Sequence, residues 1–137
     1  MRFFIDSNII ISAVLWKGNE ERLMDAGRRG LIVAVSSDYV LDETARVLVS
    51  KFGFDRGKVL ELMEYVIGCF VEIVHADDAE VHKAERLLRD KRDAAVLAAA
   101  LKSSSILVTG DKRLAEDAKG VIKVMSAGQV IEKESLL

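Results

Sequence analysis

The chain has 137 residues, 50% of them apolar and 31% charged, with a net charge of −2. That length predicts one domain spanning 1–137, and the charge balance excludes a globally basic nucleic-acid binder, so any nucleic-acid contact has to come from local basic patches. Cys69, the only cysteine, excludes an intramolecular disulfide and a thiolate zinc cluster, and the longest apolar run, "AAVLAAAL", is far shorter than the ~20 residues that span a bilayer.

These features lead us to expect a reduced, cytoplasmic protein with no membrane partner. Asp6 interrupts the apolar start, so no secretory leader is read there. Proline is absent, and element boundaries have to be read from Gly, Asp and Ser.

In chain order, β-branched and aromatic runs predict strands at 3–5, 31–35, 71–74, 106–109 and 121–124. Helical periodicity predicts helices at 37–52, 57–70, 78–89 and 92–103, and "SNIIISAVLW" reads as the start of another. Strands alternating with helices indicate an α/β fold with a mostly parallel sheet, and short all-apolar strands suit a sheet covered on both faces. Ligands of such sheets bind beyond the carboxyl ends of the strands.

Several acids stand at positions where that rule matters. Asp6 follows the first strand and Asp111 follows the fourth, each also able to cap the next helix. Asp93 lies three residues after Asp90, a candidate N-cap, yet shares a face with Val96, Leu97 and Ala100. Glu43 falls between Val40 and Val47 on the apolar face of its helix, whereas Asp42 aligns with Asp38 and Arg46, where a solvated ion pair is expected. An inward acid needs a partner or a metal. Two carboxylates about 4 Å apart repel by roughly 4 kcal/mol at an effective dielectric of about 20. If Asp6, Glu43, Asp93 and Asp111 converge, they call for a hard cation, Mg²⁺ or Mn²⁺. His75 and His82 are expected to be solvated.

With these residues in place, the chain resembles the PIN-domain nucleases, and among them the toxin components of bacterial and archaeal toxin–antitoxin systems. The resemblance rests on "FFIDSN", "VLDETARVL", "DKRDAAVLAAAL" and "ILVTGDKRL" and covers nearly the whole chain. It implies a three-layer α/β/α sandwich with strand order 3-2-1-4-5, which would set Asp6 beside Asp111. It also implies a metal-dependent ribonuclease whose catalytic, metal-holding acids are Asp6, Glu43, Asp93 and Asp111. Ser7 and Asn8 match polar positions that shape the site, and Asp90 matches an acid just outside it. Two positions after "TGD"'s acid, Arg113 replaces the further acid of many relatives, which argues against a second fully coordinated ion.

Lys91, Arg92, Lys112 and Arg113 flank the acids and are read either as a phosphate-binding rim or as solvated charge pairs. The helix at 57–70 is apolar over a wide stripe, read either as a packed helix or as a surface for a homodimer or an antitoxin partner. Three other readings stay open: an RNA-processing PIN nuclease without a toxin role, a non-catalytic RNA- or protein-binding module, and an aspartate-based phosphatase. The last would want an acid where Asn8 stands.

Overall fold

The computed structural model describes residues 1–136. Five strands, β1 (Arg2–Ile5), β2 (Val33–Ser37), β3 (Glu72–Val74), β4 (Ile106–Val108) and β5 (Val124–Met125), form one parallel sheet in the order β3-β2-β1-β4-β5. Helices flank it: α1 (Ser7–Leu15), α2 (Asn19–Arg28), α3 (Asp38–Ser50), α4 (Arg56–Ile67), α5 (Asp78–Glu85), α6 (Ala94–Lys102), α7 (Lys112–Ala118) and α8 (Ala127–Lys133). The expected order and class are therefore the observed ones. The chain winds outward from β1 to β3, then crosses back to β4 on the other side of β1. The break in winding lies between β1 and β4, the switch point at which open α/β sheets bind ligands.

The two strands flanking that point are the best buried. Phe3, Phe4 and Ile5 are wholly enclosed, and β4 is buried along its length, as expected for a strand covered on both faces. α1 packs on α2, α2 on α8, and α5 on α6. No helix among the described residues is long and apolar enough to cross a membrane.

Two strands begin later than the hydrophobic pattern predicts, and the helix ends explain why. Gly30, at φ +74°, closes α2: its N–H reaches Gly27 O and the Leu31 N–H reaches Ala26 O at 2.9 Å. This left-handed cap consumes Leu31, leaves it exposed and delays β2 to Val33. Likewise the turn after α7 bonds Val121 and Ile122 back to Ala118, so β5 starts at Val124 rather than 121.

The helix expected at 78–89 stops at Glu85, after which Arg89 turns its backbone N–H and guanidinium onto Asp117. α4 is shorter than expected as well, and only Val59 and Val66 of its stripe are fully buried; Leu60 and Ile67 face outward.

Candidate active site at the β1–β4 switch point

Asp6 leaves β1 beside β4, its N–H bonded to Val108 O at 3.0 Å, and caps α1 in extended conformation. It is only 5% exposed. One carboxylate oxygen, Oδ1, accepts from the Ser7 N–H at 2.8 Å; Oδ2 accepts from the Thr109 hydroxyl at 2.7 Å. Thr109, itself buried, is the joint of the site. Its oxygen also accepts from Asn8 Nδ2 at 3.3 Å and from the Asp111 N–H at 3.1 Å. Asn8 returns the link by accepting from the Gly110 N–H at 3.0 Å. Asp6, Asn8 and the loop before Asp111 are thus one hydrogen-bonded unit spanning two strand ends.

Glu43 reaches this unit from α3. Ser7 Oγ donates to Glu43 Oε1 at 2.6 Å, which ties two of the expected site residues together. The buried stripe of α3 is Val40, Thr44 and Leu48; Thr44 satisfies its hydroxyl on Val40 O, and Glu43 sits half-buried at the stripe's edge. The ion pair expected between Asp42 and Arg46 is replaced by a loose one, Arg46 Nη2 to Glu43 Oε2 at 4.0 Å. The i,i+3 reach suits a guanidinium drawn toward the more acidic side of the helix. His75 and His82 are exposed, as expected, and pair with Asp38 and Glu85.

Asp93 and Asp111 complete the set in different ways. Asp111 caps α7, its Oδ1 accepting from the Arg113 and Leu114 N–H groups at 3.0 and 3.1 Å. The helix expected from 92 begins at Ala94, behind a 3-10 turn at Lys91–Asp93. Asp90 caps that turn through the Arg92 N–H, so Asp93 occupies the N-cap position of α6 with no backbone bond to its side chain. Its carboxylate is therefore free of capping duty.

The electrostatics bind the acids together. Burial pushes the Asp6 carboxyl up from 3.8 to about 6; Thr109 and Ser7 pull it back, and Glu43 and Asp93 push it further. Asp93 is raised by burial first, then by the charges of Asp111 and Asp90. Tyr39, unremarked in the sequence, is raised by partial burial and by the fields of Glu43, Asp93 and Asp6. Asp6 thus feels the charges of Glu43 and Asp93, and Asp93 in turn that of Asp111. As they stand, no group of three or more His, Cys, Asp or Glu side chains among the described residues is gathered for direct ligation of one ion.

The PIN domain family matches residues 2–113, which takes in every acid of the site and both strands that carry it. The chain belongs to the PIN domain family. A search of curated proteins returns no match. Among solved structures, a protein from Pyrobaculum aerophilum, PAE2754, superposes over 100% of this chain and 97% of its own, with a TM-score of 0.72 at 14% identity. At that identity the likeness is one of fold.

PIN domains are generally nucleases that use divalent metals. The donors of this PIN domain fit such an ion in kind: all are oxygens, suited to hard cations, and the cluster contains no lysine. A divalent charge would also relieve the burial and repulsion that raise Asp6 and Asp93.

The predicted basic rim is divided. Arg92 and Arg113 both fold onto Asp90, at 2.8 and 3.0 Å, and hold its carboxyl well below the usual range. Lys91 and Lys112 are exposed and make no ion pair among the described residues. Thr109 is the residue that sequence reasoning missed. Its signal was the hydroxyl at the end of "ILVTGD", two residues before an acid.

Proposed function

We propose that this PIN domain is a Mg²⁺- or Mn²⁺-dependent endoribonuclease that hydrolyses phosphodiester bonds of RNA. The observation that carries the reading is Asp6: a buried carboxyl at the switch point, raised to about 6 and facing the charges of Glu43 and Asp93. Ionised at neutral pH, such an acid costs the fold more than its hydrogen bonds return, whereas a cation site makes use of its charge. Asp6, Glu43, Asp93 and Asp111 would hold the ion, and Ser7, Asn8 and Thr109 would hold the acids. When bound, the ion supplies charge neutralisation and Lewis acidity for attack at phosphorus. The chain's own part is orientation. Ser7 fixes Glu43, Thr109 fixes Asp6 against the Asp111 loop, and Lys91 and Lys112 stand free to meet substrate phosphates.

The test is cleavage of a labelled single-stranded RNA by pure protein with Mg²⁺, Mn²⁺ or chelator, beside Asp6→Asn. Metal-dependent cutting that disappears in the variant supports the reading. Equal cutting by both proteins, or none by the wild type across varied RNAs, overturns it.

Within this reading we assign the chain to the toxin side of a type II toxin–antitoxin pair, cytoplasmic and dimeric, with an antitoxin protein as partner. The outward Leu60 and Ile67 of α4 and the nearby exposed Val71 supply an apolar surface consistent with such contacts. Growth arrest on expression, relieved by a neighbouring gene's product, is the expected outcome. Normal growth with an active nuclease leaves an RNA-processing role instead.

A further inference from the structure

A cleft of about 510 Å³ runs from Thr109, Gly110 and Asp111 along one face of α7 to the start of α8. That volume lies within the ~300–1,000 Å³ of ordinary ligand pockets. Its walls divide by chemistry. Ala115, Val124 and Met125 give an apolar lining, while Lys112, Glu116 and Lys119 recur on the same face of α7. Neither lysine is ion-paired among the described residues. From α8, Gln129 enters with its Oε1 already accepting from the Ser126 N–H at 2.8 Å, so its amide N–H₂ is left to donate. Of these residues only Thr109, Gly110 and Asp111, at the inner end, belong to the hydrogen-bonded unit around the acids.

A phosphate ion has no use for the apolar wall, and a purely apolar ligand has none for the lysines. One nucleotide uses both: a flat base for the wall and a charged backbone for the rim. We propose that the cleft holds one unpaired nucleotide of the RNA strand next to the bond that is cut, base against Ala115, Val124 and Met125, phosphate at Lys112 and Lys119. This rests on the ribonuclease reading and narrows it. A base can enter only when unpaired, so the strand is single-stranded there, and the cleft, with the Gln129 amide, sets base preference. Glu116 between the lysines and Asp111 at the inner end keep the local net charge near zero. Phosphate alone is therefore held weakly and the base has to contribute.

The experiment is a titration of ¹⁵N-labelled full chain, in EDTA, with the four ribonucleoside 5′-monophosphates and with inorganic phosphate. The expected result is that amides of Ala115, Val124, Met125 and Gln129 shift, and that at least one nucleotide binds about fivefold or more tighter than phosphate, the gain coming from burial of the base against the apolar wall. Ala115→Leu, which fills the cleft, should remove that advantage and leave phosphate binding alone; the exposed Lys119→Glu should weaken both. Shifts confined to lysines, or a nucleotide no tighter than phosphate, overturn the proposal. The readout needs no metal and no turnover. Protein that binds a nucleotide here but cuts no RNA therefore loses the ribonuclease reading alone. Protein that cuts but shows no shift loses the cleft alone.

Discussion

Replacing Asp6 by Asn should make the metal-free protein more stable at pH 8, although it removes the acid on which the proposed chemistry depends. In the unfolded chain this carboxyl titrates near 3.8; in the folded one burial raises it to about 6. Between those values the folded state holds the extra proton, so stability falls as pH rises, and the loss is complete above the folded value. A difference of about 2 units corresponds to about 3 kcal/mol. Asparagine carries no charge to bury, but it can accept only one of the two bonds that Ser7 and Thr109 now donate, a loss of about 1 kcal/mol. The net gain is about 2 kcal/mol at pH 8, or about 6–8 °C in Tm for a chain of this size. At pH 4 the unfolded carboxyl is already more than half ionised, so the variant should be the less stable by only about 0.5 kcal/mol, with the curves crossing near pH ~4.5. Thermal unfolding followed by circular dichroism in EDTA, at intervals from pH 4 to 8, measures this directly. Adding Mn²⁺ at about 100 times its Kd should raise the wild type by about 2.7 kcal/mol and leave the variant where it is. A difference that stays flat with pH, or a variant less stable throughout, refutes the argument that Asp6 is held at a cost.

Thr109→Val should cost about 1–3 kcal/mol, because Asn8 Nδ2 and the Asp111 N–H lose their acceptor. It also removes a hydrogen bond that lowers Asp6, so the acidic limb of cleavage should move to higher pH; Thr109→Ser should restore both, and a profile unmoved by Val would deny the hydroxyl its role. Asp90→Ala frees Arg92 and Arg113 beside Asp93, and RNA binding should tighten and become more salt-dependent; an unchanged salt slope would show that the arginines do not reach phosphate. Gly27→Ala, stabilising in an open helix, should here lower the urea midpoint, since its Cβ would lie 2.8 Å from Cys69 O and 3.1 Å from Ala34 Cβ. A raised midpoint would mean that α2 shifts at no cost.

The α/β class and the acids at the ends of the first and fourth strands were legible because both depend on local pattern. Apolar strands end where a charged residue follows, and the side of α3 on which Glu43 lies can be counted along the helix. The rest depends on which strands become neighbours. Thr109 matters only because β4 lies beside β1, which puts its hydroxyl 2.7 Å from a carboxylate 103 residues away in sequence. Asp90 was read as a cap, and it is one, but its hold on Arg113 across 23 residues cannot be seen from spacing. The shifted starts of β2 and β5 have a different origin. Helix caps at Gly30 and after Ala118 spend residues that hydrophobicity alone assigns to strands.

The acids are also not equivalent, and the difference bears on how an ion would load. Asp111 is committed to the first turn of α7 through two backbone bonds, and Glu43 is tethered by Ser7. Asp93 carries no capping bond, so it is the side chain with most freedom to swing inward. Asp6 is fixed in place, yet about half-protonated near pH 6. Binding a divalent cation therefore has to release the Asp6 proton below that pH, and apparent affinity should fall about tenfold for each further unit of acidity. Calorimetry in two buffers of different ionisation enthalpy would count that proton: close to one released at pH 5 and close to none at pH 8. A proton count that does not change with pH would place the ion away from Asp6, and with it the centre of the proposed chemistry.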